Sequence, residues 1–201
     1  MEILAFADLH NSTIAYKKIQ KKIKKHKPDY IICLGDLTFF GTHIETMMRK
    51  LGELKKPLIL LPGNHEPESI LKKLSKKYKN ITYAHRKIMT IKEYTFVIHG
   101  GGGFYDTKPA KDKDFEKFIR ENKKRLKGKI ILLTHAPPKN TKLDKLDWAG
   151  HVGCGSYTEF IKKYKPMLAL SGHLHENFGV MQKKGKTLLC NPGPEGMVFK
   201  I

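Results

Sequence analysis

The sequence predicts an α/β fold with mixed sheets, read as a single domain over residues 1–201. Three observations carry that reading. Apolar strand-like runs alternate with amphipathic helical stretches from Glu2 to Lys77, the pattern of a parallel sheet covered by helices. Five strand-like runs spread along the chain are each followed at once by residues with carboxylate, amide or imidazole side chains. The last segments, from Phe178 to Lys200, have the look of antiparallel strands instead.

Taken in order, Glu2 to Ala7 reads as a buried strand. Ser12 to Lys25 reads as an amphipathic helix, with Ile14, Ala15, Ile19 and Ile23 as its apolar positions. Tyr30 to Leu34 is a second strand, Ile44 to Leu54 a helix and Pro57 to Leu61 a third strand. Pro67, well suited to a first helical turn, opens a helix running to Lys77. The middle then changes character. Lys87 to Ile91 and Thr95 to His99 form paired strands turning at Lys92 to Tyr94, followed by a loop over Gly100 to Gly103. A helix covers Lys113 to Leu126, Ile130 to Leu133 returns to the sheet, Tyr157 to Tyr164 is a helix and Met167 to Leu170 a strand. Phe178 to Gln182, Thr187 to Cys190 and Met197 to Lys200 complete the antiparallel end.

Bulk properties narrow the class. A length of 201 residues allows one domain with a real core and is short for two. No apolar run reaches the roughly 20 residues of a membrane helix, so no membrane partner is expected. Asp8 arrives too early for a secretory leader. Cys33, Cys154 and Cys190 are scattered and form no paired motif, which fits a reducing cytoplasm. The 39 Lys+Arg against 19 Asp+Glu give a formal charge of +20, a field that attracts anionic substrates and allows for a nucleic-acid partner or a lysine-coated surface. Oligomeric state is not legible here.

The chemistry sits at the strand ends. Asp8-Leu9-His10 follows the first strand, Gly35-Asp36 the second and Gly63-Asn64-His65-Glu66 the third. Thr134-His135 follows the Ile130 strand, and Gly172-His173-Leu174-His175 the Met167 strand. Carboxyl ends of parallel strands share one edge of the sheet, where α/β proteins place their ligands. One histidine beside a strand is usually structural. Five such segments converging are a metal site. Mixed oxygen and nitrogen donors suit Mn, Fe, Zn, Co or Ni better than Ca. Asp36, beside the flexible Gly35, is the natural carboxylate to bridge two ions.

These blocks, in this order, resemble those of the calcineurin-like metallophosphoesterase superfamily, over Asp8 to His175. The resemblance implies a four-layer αββα sandwich with two mixed sheets and a metal site at the C-terminal strand edge. It implies two divalent transition-metal ions, manganese foremost and iron, nickel, zinc or cobalt as alternatives. Asp8, His10, Asp36 and His175 would hold one ion; Asp36, Asn64, His135 and His173 the other. A metal-bridging hydroxide would attack phosphorus in line, and His65 would face the scissile phosphate as the catalytic residue, donating a proton to the departing alkoxide or stabilising the equatorial charge. Glu66 would orient neighbouring histidines or simply favour a helix N-terminus.

The details favour a phosphodiesterase. Protein phosphatases of that superfamily carry Gly-Asp-x-x-Asp-Arg-Gly, whereas Gly35-Asp36-Leu37-Thr38-Phe39-Phe40-Gly41 lacks the arginine. Gly-Asp-Leu-Thr is closer to the cyclic-nucleotide phosphodiesterase branch and its small prokaryotic relatives. The expected substrate is therefore a small or nucleotide phosphodiester. A nuclease acting on DNA or RNA is the alternative, and a non-catalytic scaffold the second one. Phe39 and Phe40 either line an apolar wall for a base or ester group or belong to the core. His151, in the loop Ala149 to Gly155, is a candidate substrate contact. Gly179 to Thr187 imitates a phosphate loop with the wrong spacing and is set aside.

Overall fold

The computed structural model describes every residue except Thr107 and Pro109. Strand β1 (Glu2–Phe6) leads into helix α1 (Thr13–His26), then β2 (Tyr30–Cys33), α2 (Ile44–Glu53), β3 (Leu58–Leu60), α3 (Glu68–Ser75) and β4 (Ile81–Tyr83). The second half holds β5 (Lys87–Ile91), β6 (Tyr94–His99), α4 (Lys113–Glu121), β7 (Lys129–Thr134), β8 (Lys145–Leu146) and β9 (Gly150–His151). It ends with α5 (Gly155–Tyr164), β10 (Leu168–Leu170), β11 (Met181–Lys184), β12 (Thr187–Cys190) and β13 (Met197–Lys200).

Two mixed sheets result. One has the order β13-β1-β2-β3-β4 and the other β11-β12-β10-β7-β6-β5. Strands β1 to β4 are mutually parallel, as are β6, β7, β10 and β12; β13, β5 and β11 run antiparallel to their neighbours.

The strand alternation assigns the layers. On β1, Ile3 and Ala5 face one apolar cluster while Leu4 and Phe6 face another. The first cluster lies between the sheets, joining Ile32 and Ile59 to Phe96, Ile131 and Leu170. The second packs α1, α2 and α3 on the outer face through Ile19, Met48, Leu51 and Leu71. The third packs α4 and α5 through Phe115, Tyr157 and Phe160 against Val97, Leu132 and Ala169. Helix, sheet, sheet and helix are therefore stacked in that order, as expected. Successive strand residues point to opposite faces, and both faces are buried, so near-continuous apolar runs are required.

Several expectations need correction. Strand β4 was not anticipated: Ile81-Thr82-Tyr83 lacks the unbroken apolar run that marks the equally short β3 and β10. The helix expected to reach Leu126 stops at Glu121, because the Asn122 side-chain amide bonds back to the Phe118 carbonyl at 2.9 Å and only a 3-10 turn follows. Pro67 caps α3 from outside instead of lying in its first turn. The end is not one antiparallel sheet. Strands β11 and β12 form a hairpin, but β12 is parallel to β10, and β13 crosses to the other sheet and pairs with β1.

Candidate metal centre

The C-terminal ends of β1, β2 and β3 in one sheet, and of β7 and β10 in the other, feed a single cluster. Hydrogen bonds stitch their loops together. The Asp8 N–H donates to Gly35 O and the His10 N–H to Asp36 O, both at 3.1 Å, and the Gly172 N–H donates to His135 O at 2.8 Å. Bonds also cross between the sheets: the His173 N–H reaches both Asp8 carboxylate oxygens at 3.1 and 2.9 Å, and His135 Nδ1 donates to Leu34 O at 2.8 Å. Close approach explains two glycines. A Cβ on Gly63 would collide with the Asp36 carboxylate, and one on Gly172 would lie 2.6 Å from an Asp8 oxygen.

Four of the seven expected donors hold left-handed backbone: φ is 54° at Asp8, 43° at His10, 50° at Asp36 and 72° at His173. Each non-glycine residue there costs on the order of 1–3 kcal/mol, and such strain persists where the surroundings enforce it, commonly at functional sites.

The donor atoms fall into overlapping groups, each within 4.8 Å: Asp8, His10 and His175; Asp36, His135 and His173; and His10, Asp36 and His65. One oxygen, Asp36 Oδ2, lies 3.3 Å from His135 Nε2, 3.8 Å from His65 Nε2 and 3.9 Å from His10 Nε2. His175 Nε2 is 3.2 Å from His10 Nε2, and Asn64 Oδ1 is 2.9 Å from His135 Nε2. All seven predicted donors, with His65, are thus brought together.

Tautomers separate the histidines. A carbonyl only accepts, so His10 Nδ1 on Thr38 O (3.2 Å) and His135 Nδ1 on Leu34 O carry protons, and their Nε2 atoms are lone pairs when the rings are neutral. His135 Nε2 then confronts the acceptor oxygen of Asn64. His173 Nε2 is buried with no hydrogen-bond partner among the described residues. Clustered lone pairs and an orphaned buried nitrogen fit a cation, and separations of 3.2–3.9 Å suit ligands each ~2.1 Å from one ion. His65 is different. Its Nδ1 accepts the Phe40 N–H at 3.4 Å, which leaves the proton on Nε2, facing Asp36.

Electrostatics follow from burial. Burial pushes Asp8 up to about 7. Burial also raises Asp36, but the His135 hydrogen bond and charge and the His65 N–H outweigh it, leaving Asp36 at about 2. The complementary effect lifts His135 to about 9 against its own desolvation. Burial lowers His173 to about 4, and lowers His10 and His175 as well.

Two weaker candidates fall elsewhere. Among the described residues Glu66 hydrogen-bonds to no histidine, and it does not cap α3. Its Oε1 accepts the Thr38 N–H at 2.6 Å and the Thr38 hydroxyl at 2.9 Å, so it acts on His10 one step away, through the loop whose Thr38 carbonyl holds that ring. His151 Nδ1 is paired with the buried Asp144 carboxylate at 2.8 Å, outside the donor groups above. The sequence reading missed Thr38 as that link. It also missed Phe104, whose ring meets His173 edge-on with centroids 5.1 Å apart; only the preceding glycine run hinted at a special loop.

A second cluster, His85, His99 and Asp114, lies beyond the ends of β4 and β6. There the Gly100 N–H donates to His85 Nδ1 at 3.0 Å, so the neutral ring presents a proton, not a lone pair, at Nε2. Arg86 already pairs with Asp114 and Glu68, each at 3.2 Å. That arrangement is an ion-pair network and a poor metal cage.

Comparison with known proteins identifies the family. The family model for calcineurin-like phosphoesterases matches residues 1–177. An uncharacterised protein of Methanocaldococcus jannaschii is 30% identical, the match spanning 97% of this chain and 89% of that protein. A protein of Arcobacter nitrofigilis described as a probable glycerophosphodiester phosphodiesterase is 27% identical over 75% of this chain and 58% of its own length. Among solved structures, TT1561 of Thermus thermophilus superposes with a TM-score of 0.72 at 17% identity, covering 96% of this chain and 90% of that one, a likeness of fold alone. The chain belongs to the calcineurin-like phosphoesterase family, whose members are metal-dependent hydrolases of phosphoester bonds.

Proposed function

We propose that the protein is a binuclear phosphodiesterase acting on small or nucleotide phosphodiesters. The observation carrying this reading is the split in histidine tautomers around Asp36. His10 offers a lone pair at Nε2, His135 offers one there once a cation displaces the proton that Asp36 holds on it, and His65 keeps its proton at Nε2. Ligands and a proton donor are different requirements of one hydrolytic site, and the local hydrogen bonds meet both.

Asp8, His10, Asp36 and His175 would hold one ion, and Asp36, Asn64, His135 and His173 the other, with Asp36 shared. When bound, the ions, manganese foremost, would supply Lewis-acid charge for the phosphoryl oxygens and a water of lowered pKa. The chain's own part is positioning. Thr38 and Leu34 carbonyls fix two imidazoles, and the His173 N–H steadies Asp8. His65, with its proton at Nε2, would donate a hydrogen bond to the departing oxygen or the equatorial phosphoryl oxygens as negative charge builds there. Phe40 occupies the place where phosphatases of this resemblance carry their arginine, which supports a diester over a phosphoprotein. The three cysteines are free and buried, in keeping with a cytoplasmic setting.

The relative from Arcobacter nitrofigilis supports the diesterase class by its name. The formal charge of +20 keeps nuclease action as the second reading. A panel of metal-reconstituted assays tests both: bis(p-nitrophenyl) phosphate, p-nitrophenyl phosphate, cyclic nucleotides, and single-stranded DNA and RNA. Faster cleavage of the diester than of the monoester is expected. Monoester preference would overturn the diesterase reading, and failure to hydrolyse any of them with every metal tried would overturn the enzyme itself.

A further inference from the structure

Among the described residues, seven large apolar side chains are strongly exposed; three of them adjoin histidines of the candidate centre and a fourth lies beside one of these three. Phe39, 48% exposed, stacks on His10 with centroids 4.2 Å apart and an interplanar angle of 17°. Phe40, 79% exposed, lies 4.3 Å from the His65 ring. Phe104, 52% exposed, meets His173, and Trp148, 75% exposed, lies 6.3 Å from Phe104. Aromatic pairs therefore adjoin two different ends of the contact chain that runs His65, Asp36, His135, His173.

Leaving four rings wet is unfavourable, and core packing does not explain them, since none belongs to an apolar cluster. Their flat faces suit flat partners. Quaternary ammonium groups also favour aromatic surfaces, but a chain of formal charge +20 repels a cationic headgroup and attracts a polyanion. Bases inside a duplex are already stacked, so the partner must be unpaired.

We propose that Phe39 with Phe40, and Phe104 with Trp148, are two stacking platforms for the bases on either side of the scissile phosphate, making the substrate an unpaired nucleotide diester: a dinucleotide or a single-stranded oligonucleotide. This rests on the phosphodiesterase reading for its cleavage step and stands apart from it for binding. Stacking tolerates any base, so the selectivity expected is for nucleotides over aliphatic diesters, with little preference among sequences.

Trp148 is the sole tryptophan, so its fluorescence reports one platform directly. Metal-stripped protein is titrated with adenylyl-adenosine, with glycerophosphocholine and with a fully paired DNA duplex. Saturable quenching by the dinucleotide alone is expected. Quenching by glycerophosphocholine at lower concentration, or none by the dinucleotide, overturns the proposal. Reconstituted Phe40→Ala and Trp148→Ala are then compared with wild type. The ratio of kcat/KM for adenylyl-adenosine over glycerophosphoethanolamine should fall about tenfold in each, mostly through KM, as expected for one lost stack. An unchanged ratio would overturn the platforms. Quenching in a protein that hydrolyses nothing would leave the platforms standing and sink the hydrolytic assignment.

Discussion

Nε2 of His135 lies 3.3 Å from Oδ2 of Asp36, with both side chains sealed from solvent. Two opposite charges buried together depend on one another, and removing either strands the other. Asp36→Ala should therefore abolish metal-dependent hydrolysis and lower metal content, read by elemental analysis after dialysis. It should also destabilise the metal-free protein by about 3–5 kcal/mol, the usual cost of breaking a buried pair. Full activity in this variant would remove the basis of the binuclear reading.

His65→Gln separates hydrogen-bond donation by the imidazole from metal binding. The variant should keep the metal content of the wild type, because the tautomer of His65 does not present a lone pair inward. Turnover should fall by roughly 10²–10³-fold, the range for losing one such donor. The deficit should shrink with a leaving group such as p-nitrophenolate, which departs without a proton. Loss of metal in this variant would assign His65 to the ligands instead.

How much of this was legible in the sequence follows from where information is local. The gathering of the candidate donors could be read because each follows a strand, and the end of a parallel strand is a position fixed by topology. The buried strands could be read because runs such as Ile31 to Leu34 are apolar on both faces, as a strand between two layers must be, whereas the two-sheet sandwich followed only from the family resemblance. What could not be read depended on distant partners. Glu66 finds Thr38 from 28 positions away, and no local pattern announces that. Strand β13 leaves its neighbours to pair with β1, nearly the full chain length away. The two-residue strands β8 and β9 are too short for any period, and they carry His151 towards Asp144. Phe104 and Trp148 look like ordinary loop aromatics until the fold sets them beside His173 and each other.

Gly63→Ala tests the close approach beneath Asp36. Its added methyl would meet the Asp36 carboxylate and amide, neither of which can retreat without breaking the His65 N–H bond to Oδ1 at 3.0 Å. The expected result is a folded protein, by circular dichroism, with metal affinity reduced at least tenfold. Overpacking typically costs ~1–3 kcal/mol, so a modest fall in Tm should accompany it. Unaltered metal affinity would show that the Asp36 loop is free to move.

Glu66→Ala would strand the Thr38 N–H and hydroxyl, both of which now reach Oε1. Leaving a buried donor unsatisfied costs ~1–3 kcal/mol. Because the Thr38 carbonyl also holds His10 Nδ1, the metal site should loosen where His10 contributes, with one ion lost at lower chelator concentration than the other. Glu66→Gln, whose side-chain oxygen can still accept, should recover most of that loss. Equal, wild-type-like retention of both ions in Glu66→Ala would confine Glu66 to a structural role.

The pH dependence of the metal-free protein has a definite sign. Asp8 and Glu66 are raised to about 7 by burial, and His135 to about 9 because Asp36 outweighs its desolvation. A group whose folded pKa is raised stabilises the fold below its unfolded value and loses that contribution as pH climbs through the folded one. Asp8 and Glu66 complete that loss near neutrality, so from pH 7 to 9 the decline belongs to His135. Buried His173, lowered to about 4, acts oppositely, but its contribution is already complete above its ordinary value of 6.5. The Tm of EDTA-treated protein should therefore fall steadily from pH 7 to 9, and His135→Gln should flatten that slope. Manganese should reverse the trend, because ligands must shed their protons to bind it and affinity rises with pH. The gain in Tm on adding metal should thus be larger at pH 8.5 than at pH 6.5. A metal-free Tm that rises over this interval would show that His135 is neutral in the folded protein.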